Sequence, residues 1–226
     1  MKGKKSSMKR PPLNVAIFIF DGVEELDFCG PFEVFCLASR LDETAPFKVF
    51  TVSKDSRAVE TRSGLSVNPH YSLTHCPKPD ILLVPGGRGT RRELKNRATM
   101  EWIRSTAARA DIVASVCTGA LLLGKAGLLD DMESTTHHTA FDELRQVAPK
   151  TTVLETKRFT DNGHVLTSAG IAAGIDMSLH IVAKVGSDEL AWATARQMEY
   201  RWKPLEESRT RKSEIDGGGG RQETKT

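Results

Sequence analysis

The stretch IVASVCTGALLLG, residues 112–124, decides how this chain is built. Ile112 to Val116 are short and apolar on nearly every residue, as a strand buried on both faces should be, and Ala120 to Ala126 read as a helix. Cys117 stands at the join. Ser115 and Gly119, two residues to either side, are small, as a sharp strand-to-helix bend requires, and the pattern is a thiol version of the hydrolase nucleophile elbow. At a helix N-terminus the macrodipole and unpaired N–H groups favour thiolate. The Thr118 N–H would then point toward charge developing on a bound substrate. A cysteine packed as a small hydrophobe is the alternative that the local pattern leaves open.

Working outward, the same alternation recurs. Val15–Phe20, Phe47–Val52, Ile81–Val84 and Val165–Thr167 read as further buried strands. Pro31–Leu41, Met100–Ala110, Ala140–Val147, Ile171–Val185 and Glu189–Tyr200 read as helices between them, with Pro31 suited to a first helical turn. Strand and helix in alternation predict a three-layer α/β sandwich on a mostly parallel central sheet, with ligands at the carboxyl ends of the strands. Two other segments end at that same edge. ILLVPGGRG, 81–89, closes a strand on bare glycine backbone, where the Gly87 N–H would complete an oxyanion hole. DGVEELDFCGP, 21–31, places several carboxylates after the first strand, one of which could reach the thiol.

Composition narrows the class. The chain has 226 residues and a net charge of +3, but five basic and no acidic residues fall within 1–12 and seven basic against five acidic within 201–226. The body from 13 to 200 therefore holds 20 basic against 24 acidic groups, a net −4, which argues against a nucleic-acid partner. The longest apolar runs are too short to span a membrane, and the basic N-terminus is followed by only six apolar residues before Asp21, too few for a secretory signal. A cytoplasmic protein is expected. Cys29, Cys36, Cys76 and Cys117 form no CxxC pair, which argues against a structural metal site or a disulfide framework. One domain over 13–203 is expected between a basic N-terminal tail, 1–12, and a C-terminal tail, 204–226, whose compositions predict disorder.

ELDFCGPFEVF (25–35), VPGGRG (84–89), SVCTGALLLGKAGLLD (115–130), TTHH (135–138) and TSAGIAAGIDMSL (167–179) together resemble the ThiJ/PfpI superfamily, and within it the isonitrile hydratase branch. The resemblance implies a flavodoxin-like sandwich, similar to class I glutamine amidotransferases, a small-molecule substrate, no metal or organic cofactor, and a homodimer. It implies Cys117 as nucleophile, Asp27 as general acid and base, and Thr118 as a positioning group through its N–H and hydroxyl. It places Gly86, Gly87 and Gly119 around the thiol, His137 at a matching histidine and Cys29 as a small wall residue. The implied reaction is hydration of an isocyanide to an N-substituted formamide.

One stretch departs clearly from that pattern, and simpler readings stand beside the acidic residues. RGTRREL, 88–94, is basic where relatives carry small uncharged residues, so Arg88 would favour an anionic or polar substrate at the pocket mouth, while Arg91, Arg92, Lys95 and Arg97 read as a solvated helix face. Glu24 and Glu25 read as solvated loop charges, and Asp27 by itself would also serve as a helix N-cap. Two other functions remain open: a ligand-sensing domain like the N-terminal half of AraC-type regulators, and a glyoxalase or deglycase activity. The latter commonly relies on a histidine after the cysteine and a glutamate, where this chain has Thr118 and Asp27.

Overall fold

In the computed structural model, residues 11–44 and 46–204 are described. The two expected tails therefore lie outside the described residues, apart from Pro11, Pro12 and Pro204. The chain runs through β1 (Leu13–Phe18), α1 (Glu25–Leu41), β2 (Phe47–Ser53), a small hairpin of β3 (Val59–Glu60) and β4 (Ser66–Val67), then β5 (Tyr71–Ser72) and β6 (Ile81–Val84). A single turn, α2 (Thr90–Glu93), precedes α3 (Arg97–Ala107), β7 (Ile112–Val116) and α4 (Gly119–Lys125). The remainder is β8 (Glu133–Ser134), α5 (Phe141–Val147), β9 (Thr152–Val153), β10 (Phe159–Asp161), β11 (Val165–Ser168), α6 (Ala173–Val185) and α7 (Asp188–Gln197).

Seven strands form one sheet in the order β10-β11-β7-β6-β1-β2-β5. All neighbours pair in parallel except β10 with β11. Its central strands are the apolar runs of the sequence, and β6 and β7 are buried at every residue, as strands covered on both faces must be. Helices α1, α6 and α7 pack together as one layer, and α3, α4 and α5 as the other. This is the expected flavodoxin-like three-layer sandwich. The chain goes from β1 to β2 on one side and returns to β6 on the other, so the connections leave in opposite directions between β1 and β6, opening a crevice at their carboxyl ends.

Helix α1 begins six residues before the expected Pro31, and Pro31 sits inside it. Proline cannot donate, so the Asp27 carbonyl one turn earlier loses its helical partner, yet the helix continues because its inner face is held. Gly30 lets α6 approach closely: a Cβ there would lie 2.9 Å from Ile175 Cγ1. Helix α6 starts later than expected, at Ala173, because Ile171 takes a left-handed backbone, φ 54.

At the other end of the elbow, α4 comes down directly onto β6. A Cβ at Gly119 would stand 2.0 Å from the Val84 carbonyl oxygen, so only glycine fits without moving the strand. Gly119→Ala is expected to destabilise the fold by about 3 kcal/mol, read as a drop in thermal midpoint of several degrees. A melt unchanged within a degree would show that this contact is slack.

Candidate active site

Cys117 leaves β7 with φ 58, a left-handed conformation that few non-glycine residues adopt. Several bonds hold it there. Its N–H donates to the Ser168 and Ala169 carbonyls at 3.1 and 3.2 Å, and its own carbonyl accepts from the Thr136 hydroxyl at 2.7 Å. The strain lifts the side chain over the sheet's carboxyl edge, as the elbow reading requires. Cys117 as a whole is 6% exposed.

Asp27 meets it from the first turn of α1. Its side chain is fully buried and in hydrogen-bond contact with the Cys117 sulfur. Oδ2 accepts from the Gly86 N–H at 3.0 Å, whereas buried Oδ1 has no partner. Asp27 is thus not the N-cap, which is Glu24. A Cβ on Gly86 would fall 2.5 Å from Thr118 N and 3.0 Å from Asp27 Oδ2, so the missing side chain keeps open the space shared by acid and elbow.

Burial pushes the Asp27 carboxyl up to about 7, against the pull of the Gly86 N–H, the thiol and the Ile171 N–H. Burial, and next the neighbouring Asp27 charge, push the Cys117 thiol up to about 12, against the amides of Thr118 and Ile171. The expectation of a thiolate favoured by the helix terminus is corrected here: α4 has only seven residues, and desolvation together with a carboxylate in contact outweighs it. At rest the sulfur carries its proton.

The glycine loop also differs from expectation. The Gly87 N–H is not free for an oxyanion; it donates to Thr118 Oγ1 at 3.0 Å, and the Thr118 hydroxyl is shared further with Thr90 Oγ1 at 3.0 Å. That hydroxyl therefore fixes the loop to the elbow rather than holding the thiol or a water. The amides facing the sulfur are those of Thr118 and Ile171. Ile171 gave no sign of this in the sequence, where it sits in an apolar run and reads as helix.

The other expected residues separate. His137 lies against Gly170, where a Cβ would be 2.2 Å from its ring, and its Nδ1 is bonded to the Thr139 hydroxyl at 2.8 Å. Burial, then His138, hold its pKa down. It borders the site beside Ile171. Cys29, two residues from Asp27 on the same helix, is turned roughly 200° away and is exposed, so it is not a wall of this pocket. Arg88 is exposed. Arg91 is clamped in two bonds to Glu143.

The β3–β4 hairpin brings a further cation, Arg62, toward the site. Its N–H donates to the Val23 carbonyl at 2.9 Å, and Val23 bridges to Gly87. Its guanidinium pairs with Glu24 at 2.7 Å, and Glu25 accepts from the Thr61 hydroxyl and the Ser63 N–H. Glu24 and Glu25 are therefore anchors for this hairpin rather than solvated charges. A separate cleft of about 550 Å³ opens on the same sheet edge beside Phe20, Lys54 and Arg92, and it contains none of these reactive groups. Among the described residues, no group of three or more His, Cys, Asp or Glu could hold a metal ion, and no helix is long and apolar enough to cross a membrane.

Sheet order and site together define a flavodoxin-like α/β protein with a strained cysteine elbow facing a buried carboxyl group. The chain belongs to the DJ-1/PfpI family, whose model matches residues 13–184. It is 36% identical to an isonitrile hydratase of Pseudomonas putida, over 83% of this chain and 78% of that protein. It is 26% identical to the HTH-type transcriptional regulator GbdR of Pseudomonas aeruginosa over 84% of this chain, and it spans about half the length of that regulator. Among solved structures, a ThiJ/PfpI family protein from Pseudomonas syringae superposes with a TM-score of 0.77 at 25% identity, covering 94% of this chain and 88% of that one. DJ-1beta of Drosophila melanogaster superposes at 0.75 and 19% identity over 85% of this chain and all of that one, a likeness of fold alone.

Proposed function

We propose that this protein hydrates isocyanides to N-substituted formamides. One observation carries the reading: a fully buried carboxyl group in hydrogen-bond contact with the elbow thiol, with one oxygen unpartnered and its pKa pushed up to about 7. The similarity to the Pseudomonas putida isonitrile hydratase supports the substrate class.

The reactive state is the pair holding one proton, with that proton moved from sulfur to Asp27. The sulfur adds to the terminal carbon of R–NC, and Asp27 delivers its proton to that carbon, giving the thioimidate R–N=CH–S–Cys117. Asp27, now carboxylate, takes a proton from water as the hydroxide adds to the same carbon, and the nitrogen receives that proton. The carbon–sulfur bond then breaks, the hydroxyl proton returns to Asp27, and R–NH–CHO leaves. The amides of Thr118 and Ile171 stabilise sulfur as it regains negative charge.

The test is a panel of aliphatic, aromatic and carboxylate-bearing isocyanides, followed by loss of the isocyanide stretch, with methylglyoxal as control. Turnover of methylglyoxal alone would overturn the hydratase reading in favour of a glyoxalase. The similarity to a transcription regulator favours a second reading, a ligand-sensing domain, which tight binding of an isocyanide without turnover would support.

The pH profile has a defined sign. Below the Asp27 pKa the pair holds two protons and no thiolate can form, so kcat/KM is expected to fall about tenfold per pH unit below an apparent pKa of about 7. A flat profile from pH 5 to 8 would remove the proton-sharing pair from the mechanism.

A further inference from the structure

We propose that Arg62 forms a carboxylate-binding subsite at the mouth of the Cys117 pocket, so that the preferred substrate is an isocyanide bearing a carboxylate near its isocyano group. The turnover part of this rests on the hydratase reading. The subsite itself does not.

The hairpin of β3 and β4 holds Arg62 in place through a chain of bonds that ends at the catalytic pair. Its backbone is bonded to Val23, Val23 bridges to Gly87, and Gly87 donates to Thr118, the residue after the thiol. Glu24, which pairs with the guanidinium, has its own N–H on the Gly86 carbonyl at 3.0 Å, and the Gly86 N–H holds Asp27. These bonds tie the Arg62 backbone and its carboxylate partner to the loops that carry the reacting groups, and a thiolate at Cys117 would attract the guanidinium.

A guanidinium has five N–H donors, and one of them donates to Glu24 Oε2 at 2.7 Å. The side chain is 54% exposed and Glu24 only 17%, so the carboxylate partner is the buried side of the pair and the guanidinium stays open to solvent. That arrangement suits a second carboxylate taken in a two-pronged bond. Glu24 fixes the direction of the fork and repels an anion that misses it. Of the neighbouring cations, Arg91 is committed to Glu143 in two bonds.

The first test needs no turnover. Cys117 is alkylated with iodoacetate and with iodoacetamide at the same pH, and the modification is read by mass spectrometry on the Cys117 peptide, apart from Cys29, Cys36 and Cys76. Arg62→Gln is expected to lower the iodoacetate-to-iodoacetamide rate ratio at Cys117 five- to tenfold, Arg62→Lys to restore part of it, and Glu24→Gln to raise it. An unchanged ratio in Arg62→Gln overturns the subsite whatever the enzyme does.

The second test compares isocyanoacetate with its methyl ester. The wild type is expected to favour the acid at least tenfold in kcat/KM, and Arg62→Gln to erase that preference through KM while the ester's kcat stays within twofold. Equal losses on acid and ester would make Arg62 a structural residue and overturn the proposal. Should neither compound turn over while the alkylation ratio still falls, the hydratase reading fails and the anion subsite stands.

Discussion

Cys117→Ala is expected to leave less than about a thousandth of the wild-type isocyanide turnover, since no other group at the site can form the covalent adduct. The variant should fold. Alanine keeps a Cβ of the same size at the left-handed position, the strain at φ 58 is already present in the cysteine, and the bonds from Ser168, Ala169 and Thr136 are all to backbone atoms. What disappears is one sulfur atom beside Asp27. With it goes a hydrogen bond that pulls the Asp27 carboxyl down, so the acid in the variant should titrate higher than in the wild type. Activity, circular dichroism and the melt are measured on the same preparation. Residual turnover above one per cent with an intact fold would mean that water is activated directly, and the thioimidate route would be wrong. Cys117→Ser sharpens the comparison, because an alkoxide is far harder to form than a thiolate beside the same carboxyl group.

How much of this was legible beforehand differs by element. The central strands were readable because a strand buried on both faces is apolar at nearly every position, as in Ile81–Val84 and Ile112–Val116. Cys117 was readable too, since small residues flanking a cysteine between a strand and a helix leave few other conformations. Asp27 stood out only through the resemblance; among Asp21, Glu24, Glu25 and Asp27, spacing alone does not say which carboxylate turns inward. It is Asp27 because α1 begins at Glu25, earlier than Pro31 suggests.

The parts that could not be read are long-range. Arg62 lies in a hairpin of two-residue strands, too short for any periodicity to register, and it reaches the site through bonds to residues 38 and 39 positions away. Ile171 looks like the start of a helix, because a β-branched residue at positive φ is the last thing that composition suggests. The glycine amides misled for a related reason. Their freedom to approach a ligand is local, but the partners that engaged them, Asp27 and Thr118, come from α1 and the elbow.

Asp27→Asn is expected to do two opposite things: to lower kcat/KM by about a hundredfold or more, and to make the fold more stable above pH 7. The first follows because an amide neither delivers a proton to the isocyanide carbon nor takes one from water. The second follows from linkage. A carboxyl group raised from 3.8 to about 7 binds its proton more tightly folded than unfolded, so wild-type stability is lost as pH climbs from about 4 to 7 and stays low above that. Three pKa units correspond to about 4 kcal/mol as an upper figure, and relaxation around a buried group makes about 2 kcal/mol a reasonable floor. Asparagine has no such transition and can still accept from the Gly86 N–H, so it keeps the bond that matters for packing. Urea melts of the two proteins at pH 4, 6 and 8 should therefore nearly coincide at the lowest pH and diverge in favour of the variant as pH rises. A constant offset across that range would mean that Asp27 is charged throughout, and a carboxylate that never holds a proton near neutrality is no general acid for this reaction.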